Sequence, residues 1–143
     1  MKFKSRKDKL TIIIIYGMIS IFIGLFILDY INNGIEKGEI WQYLIILGVI
    51  GLLISIVHGT NYELSEKYFK YKCGPVSGKI EINKIYEIIK DKTMWVGFKP
   101  ATARKGLIIK YDKYNELYIS PNTNELFIEK ILELNSEIKI KSD

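Results

Sequence analysis

The chain opens on a short charged stretch, passes into two long apolar runs, and then breaks into short segments in which apolar and polar residues alternate. Residues 10–28 are nineteen consecutive positions without a charge, roughly 28 Å as a helix and close to the hydrocarbon thickness of a bilayer. Residues 40–57 are eighteen more, and their one strongly polar side chain, Gln42, falls near an end. A buried core helix would show a polar face, and a signal peptide would have a shorter apolar region followed by small residues. Here Asp29-Tyr30-Ile31-Asn32 follows instead. Both runs are predicted to span a membrane as a helical hairpin.

Small residues recur in both runs at i, i+3 and i+7: Gly17, Ser20 and Gly24 in the first, Gly48, Gly51 and Ser55 in the second. Each set falls on one helix face. Lipid gives helices no hydrophobic reason to associate, so close approach over small residues predicts that these six positions pack the hairpin.

From Tyr62 the period shortens to two, the signature of strands. Strands are expected over 62–64, 68–73, 79–82, 86–90, 107–111 and 116–120, with turns at 65–67, 74–78, 83–85 and 112–115. Leu107, Ile109, Leu117 and Ile119 are expected to face inward. After Ser120-Pro121 the period becomes helical: Asn122 and Glu125 read as an N-cap pair, and Phe127, Ile131 and Leu134 as the apolar stripe. The expected fold class is α+β, a two-helix transmembrane hairpin followed by an antiparallel barrel or sandwich of six to seven strands capped by a C-terminal helix. The expected organisation is a basic N-terminus over 1–9, the hairpin over 10–57, one domain over 62–135, and a lysine-bearing tail over 136–143 that frays.

Residues 91–106 are the least regular part, combining Trp95 and Phe98 with Lys92, Lys99, Arg104 and Lys105. Two roles fit. The loop meets headgroups or a protein partner, aromatics in an apolar layer and cations on phosphates; or Trp95 and Phe98 cap the core while the cations are solvated. The second suits the aromatics better.

Charge then orients the chain. The net charge is +5, but residues 1–9 alone carry Lys2, Lys4, Arg6, Lys7 and Lys9 against Asp8, a local +4, while 29–39 carry −2. Lysine and arginine beside membrane helices stay inside, so the N-terminus and the C-terminal domain are expected in the cytoplasm and the acidic loop outside, with Tyr30, Trp41 and Tyr43 as an outer aromatic belt. Orientation and anionic headgroups account for the basic excess, so no nucleic-acid partner is expected. The partners expected are the bilayer itself, anionic lipid headgroups and another membrane protein. The single Cys73 cannot form an internal disulfide and fits a reducing compartment, and the single His58 reads as structural. No nucleophile with its base, paired carboxylates or clustered metal ligands stand out, so neither catalysis, a metal nor a cofactor is expected.

The residues also resemble a family, the short bacterial PH-like domain of YyaB-type membrane proteins. The resemblance runs from about 62 to 134. It rests on Tyr62-Glu63-Leu64, Phe69-Lys70-Tyr71, Gly74-Pro75 and Ile80-Glu81-Ile82-Asn83-Lys84-Ile85, then on the strand at 107–111, and most specifically on Ile119-Ser120-Pro121 leading to Phe127. The family shows a serine-containing segment where Ala101-Thr102-Ala103-Arg104-Lys105-Gly106 stands here. What the resemblance implies is a noncatalytic binding or adaptor module. A related membrane-anchored PH-like protein confers self-immunity to the antimicrobial peptide sublancin, so it implies bacteriocin immunity as the alternative.

Overall fold

The computed structural model describes residues 1–34 and 40–142. The predicted outer-loop charges Glu36, Lys37 and Glu39 lie outside the described residues. Helix α1 covers Lys9–Asn33 and α2 covers Ile40–Gly59, both longer than the apolar runs alone. Polarity does not stop a helix; backbone geometry does. Here α1 continues through Asp29 until Gly34, whose φ of 70° only glycine adopts freely and whose N–H closes on the Tyr30 carbonyl. Ile19 alone is buried in α1, and Tyr43 and Val57 in α2, so both helices expose Leu and Ile on nearly every side. Both helices are long and apolar enough to cross a membrane.

The two helices are clipped together near their ends. Tyr43 packs its ring edge-on to Phe26 at 5.0 Å, and its hydroxyl donates to Asp29 Oδ2 at 2.8 Å. Towards the other end Tyr16 Oη lies 3.1 Å from His58 Nε2, and Lys7 Nζ lies 3.3 Å from His58 Nδ1. His58 is thus a structural link, as its solitary position suggested.

Among the described residues eight strands follow the order β1 Lys2–Lys4, β2 Asn61–Leu64, β3 Tyr68–Cys73, β4 Val76–Glu81, β5 Ile85–Lys92, β6 Gly106–Tyr111, β7 Asn115–Ile119 and β8 Lys139–Ser142, with helix α3 over Asn124–Leu134. They make two four-stranded sheets, β1-β2-β3-β4 and β7-β6-β5-β8, a sandwich rather than a closed barrel. The predicted turn at 74–78 shrinks to Gly74 and Pro75. Gly74 has φ 57° and a Cβ there would meet Ile56 and Ser55 of α2 at 3.2–3.4 Å, so this turn presses directly on the helix. Residues 77–78, expected in the turn, pair instead with Lys72 and Tyr71.

Two further expectations are corrected at the termini. Residues 1–9 are not merely a basic tail: Lys2–Lys4 pair antiparallel with β2, and Phe3 is buried against Phe127 at 5.2 Å. Residues 136–143 do not fray throughout, because β8 pairs parallel with β5 and Ile138 is buried. Glu87 on β5 holds this strap through Lys141 at 2.5 Å and also binds Lys110 at 3.1 Å. Those two ammonium groups, Lys141 foremost, keep the Glu87 carboxyl below its usual value. The stabilisation is present above the unfolded glutamate value of about 4.3 and is lost as pH falls through the depressed folded value. Amide exchange in β8 is therefore expected to accelerate in acid below about pH 4, and Glu87→Gln to flatten that dependence.

The core lies between the sheets under α3. Tyr62, Phe69, Ile88, Leu107, Ile109, Leu117, Ile119, Phe127 and Ile131 are all essentially inaccessible, including the four side chains of β6 and β7 expected inward. Leu134, expected in the helix stripe, is instead exposed, and the cap residue is Thr123 rather than Asn122.

Candidate functional site: a cationic groove at the foot of the helices

Only Thr60 separates α2 from β2, so the domain hangs directly from the helices without a flexible linker. The helix-side end of the sandwich collects the start of β2, the β3–β4 turn against α2, and the irregular segment between β5 and β6. That segment is pinned to the approach to α1. Asp8 N–H donates to the Thr102 carbonyl at 3.0 Å, Arg6 N–H to the Ser120 carbonyl at 2.7 Å, and Thr102 Oγ1 to the Arg6 carbonyl at 2.7 Å.

Beneath these bonds sits a buried hydroxyl cluster. Ser5 Oγ lies 2.9 Å from Thr102 Oγ1, 2.9 Å from Ser120 Oγ and 3.1 Å from Tyr62 Oη. Tyr62 donates to the Pro100 carbonyl at 2.6 Å and accepts from Ser120 N–H at 3.1 Å. Four hydroxyls can alternate as donor and acceptor, so the cluster satisfies itself without water or charge. Burial pushes the Tyr62 phenol up. The Ile119-Ser120-Pro121 motif therefore has a physical meaning: Ser120 joins the N-terminal segment, β2 and the 100–102 segment at one point.

Between the approach to α1 and the 103–105 segment opens a groove of about 820 Å³ lined by Arg6, Lys7, Lys9, Arg104 and Lys105, with Asp8, Asp91, Thr93 and Ala103 completing the wall. Both carboxylates are engaged. Asp8 accepts from Arg104 Nε at 2.6 Å and from Leu10 N–H at 3.4 Å, capping α1, and the Arg104 guanidinium holds its carboxyl below the usual range. Asp91 accepts from Asn124 Nδ2 at 2.9 Å and lies 3.7 Å from Lys90. Arg6 is also occupied, donating through Nη2 to the carbonyls of Arg104 and Lys105, both at 2.7 Å.

Of the candidate contact residues, Arg104 and Lys105 enter this groove. Lys92 ends β5 opposite Gly106, outside the groove wall. Lys99 turns back to donate to the Trp95 carbonyl at 2.5 Å. The core-capping expectation for the aromatics is corrected: Met94 packs instead against Ile108 and Tyr118, while Trp95 is 81% exposed. Phe98, 45% exposed, lies against Tyr71 at 5.7 Å, and its carbonyl accepts from Tyr118 N–H, so the loop fills the corner between the two sheets. Trp95 and Val96 remain as an apolar tip.

The small-residue faces are not brought together. A Cβ added at Gly17, Gly24, Gly48 or Gly51 would meet nothing within 4 Å, Ser20 bonds back to the Tyr16 carbonyl, and Ser55 sits beside Gly74. Arg6, Lys7 and Lys9 were legible as an orienting charge but not as part of a site. Their signal was the alternation in Lys2-Phe3-Lys4-Ser5-Arg6, which marks a strand. Among the described residues no group of three or more His, Cys, Asp or Glu side chains is placed to hold a metal.

This sandwich with its C-terminal helix is the frame of a PH-like module, and residues 60–135 match the family described as Bacterial PH domain, to which the chain belongs. The chain is also similar to the uncharacterized protein YyaB of Bacillus subtilis (strain 168), at 27% identity across 98% of this chain and 97% of that one. The likeness to YyaB thus takes in the apolar helices as well as the domain. No solved structure matches.

Proposed function

We propose that this chain is a noncatalytic binding module anchored by α1 and α2 at the cytoplasmic face of a bacterial membrane, where its helix-side end contacts headgroups or another membrane protein. One observation carries the reading: the helical hairpin is inserted between β1 and β2, which are paired neighbours in one sheet. Both ends of the hairpin therefore return to one side of the bilayer, and the basic residues 2–9 make that side the cytoplasm. A fold of this class takes many ligands, so the membrane-facing geometry rather than the family supports the assignment. The exposed Trp95 and Val96 tip, on the loop tied to the base of α1, is the apolar part of that contact.

The test is site-specific photocrosslinking in intact cells from position 95 and, as control, from Tyr114 in the β6–β7 turn at the opposite end, 83% exposed. Adducts with lipid or a membrane protein from position 95 and none from 114 are expected. Equal labelling from both positions overturns the arrangement. Orientation is checked separately in a Cys73→Ser background: an impermeant maleimide is expected to label Asn32→Cys in whole cells, and Lys113→Cys only after lysis.

A further inference from the structure

We propose that the groove between residues 6–9 and 103–105 is a phosphate site for the headgroup of an anionic phospholipid, with Lys9 and Lys105 as its principal contacts. The inference rests on the membrane-anchored reading above and names the ligand of its helix-side end. Five cations and two carboxylates line the groove, and the carboxylates are consumed by α1 capping, Arg104, Asn124 and Lys90. Arg6 and Arg104 are spent on building the wall. Lys9 and Lys105, by contrast, have no side-chain hydrogen bond or ion pair among the described residues.

Lys105 is held in an unusual way. Its φ is 51°, a left-handed conformation that disfavours a side chain, and three bonds enforce it: its N–H donates to Thr93 Oγ1 at 3.0 Å, and its carbonyl accepts from Arg6 Nη2 at 2.7 Å and Asn124 Nδ2 at 3.1 Å. Glycine would serve that backbone better. A lysine kept there at a conformational cost is explained by what its ammonium does. Asp91, across the same groove, is also left-handed at φ 61°, so the wall is over-determined on two sides.

Position selects the source of the phosphate. Lys9 is the first residue of α1, so the groove opens where the helix enters the bilayer, at the level of lipid phosphates rather than of bulk solution. Polar headgroups there supply a diester anion at high local concentration, and desolvation by the neighbouring apolar tip strengthens each contact.

The experiment uses the purified full chain in mixed micelles of phosphatidylglycerol and phosphatidylcholine, with bound lipid read by native mass spectrometry. Wild type is expected to retain phosphatidylglycerol preferentially, and excess inorganic phosphate not to displace it. The pair Lys9→Gln with Lys105→Gly is expected to lose that retention by about twenty-five-fold, at roughly fivefold per cation, while keeping its thermal midpoint because glycine accepts the left-handed backbone. The control pair Lys92→Gln with Lys99→Gln is expected to retain lipid as wild type does. Equal retention by wild type and the Lys9/Lys105 pair overturns the site, as does an equal loss in the control pair. Displacement by inorganic phosphate would reassign the groove to the free anion, and capture of a protein lost in the Lys9/Lys105 pair with lipid retention intact would reassign it to a protein partner. Either outcome overturns the lipid assignment. None of these results disturbs the topology labelling, which fails or holds independently.

Discussion

Replacing Phe3 with alanine is expected to cost the domain about 3–5 kcal/mol, the range for removing a buried aromatic side chain. Its flanking lysines alone do not suggest such a cost. In the fold, however, Phe3 is 5% exposed, packs edge-on to Phe127 at 5.2 Å, and belongs to the main core cluster with Tyr62, Phe69 and Ile131. Phe127 in turn packs edge-on to Phe69 at 5.5 Å, so the cavity left by Phe3→Ala opens beside the ring that links it to the rest of the aromatic core. Thermal unfolding of the detergent-solubilised full chain measures the loss. Lys2→Ala, on the exposed face of the same strand, is expected to change little, which separates packing from leader charge.

Tyr62→Phe is the second large effect, about 2–3 kcal/mol, although it removes a single oxygen. That oxygen donates to the Pro100 carbonyl, accepts from Ser120 N–H and lies 3.1 Å from Ser5 Oγ. With it gone, a buried carbonyl and a buried N–H lose a partner in a place that water does not reach. The penalty is the desolvation of those orphaned groups rather than the net worth of one bond. Hydrogen exchange is expected to show faster opening at 100–105 and at Ser120, with the β3–β4 hairpin protected as before. Unchanged exchange around Pro100 would show that the hydroxyl cluster does not hold the loop.

What was legible in the sequence was local. The two apolar runs needed only their length, the β6–β7 hairpin showed itself by strict alternation, and Phe127 with Ile131 marked the buried helix face. What was not legible depends on partners far along the chain. The three residues of β1 acquire meaning only when β2 arrives beyond the helices, and β8 only when it meets the middle of β5. The groove has the same character: Arg6 reaches Arg104 and Lys105 from far along the chain, so a local reading named Arg104 and Lys105 but assigned the N-terminal cations to orientation and to anionic headgroups in general. Trp95 failed for a different reason. Its size suggested a core role, yet neighbouring Met94 is the more flexible filler for a shallow site on the outer face of β6 and β7, leaving the indole free.

The pairing of β1 with β2 has a consequence for how the protein is made. In the membrane-anchored arrangement proposed above, β1 is made before β2 and has no partner in its sheet until both apolar segments between them have been inserted. If only one of them crosses, β1 and β2 end on opposite faces, Phe3 cannot reach Phe127, and Ser5 cannot complete the hydroxyl cluster. In that arrangement completion of the sheet is conditional on correct insertion of both segments, and a chain threaded wrongly is left without its first strand.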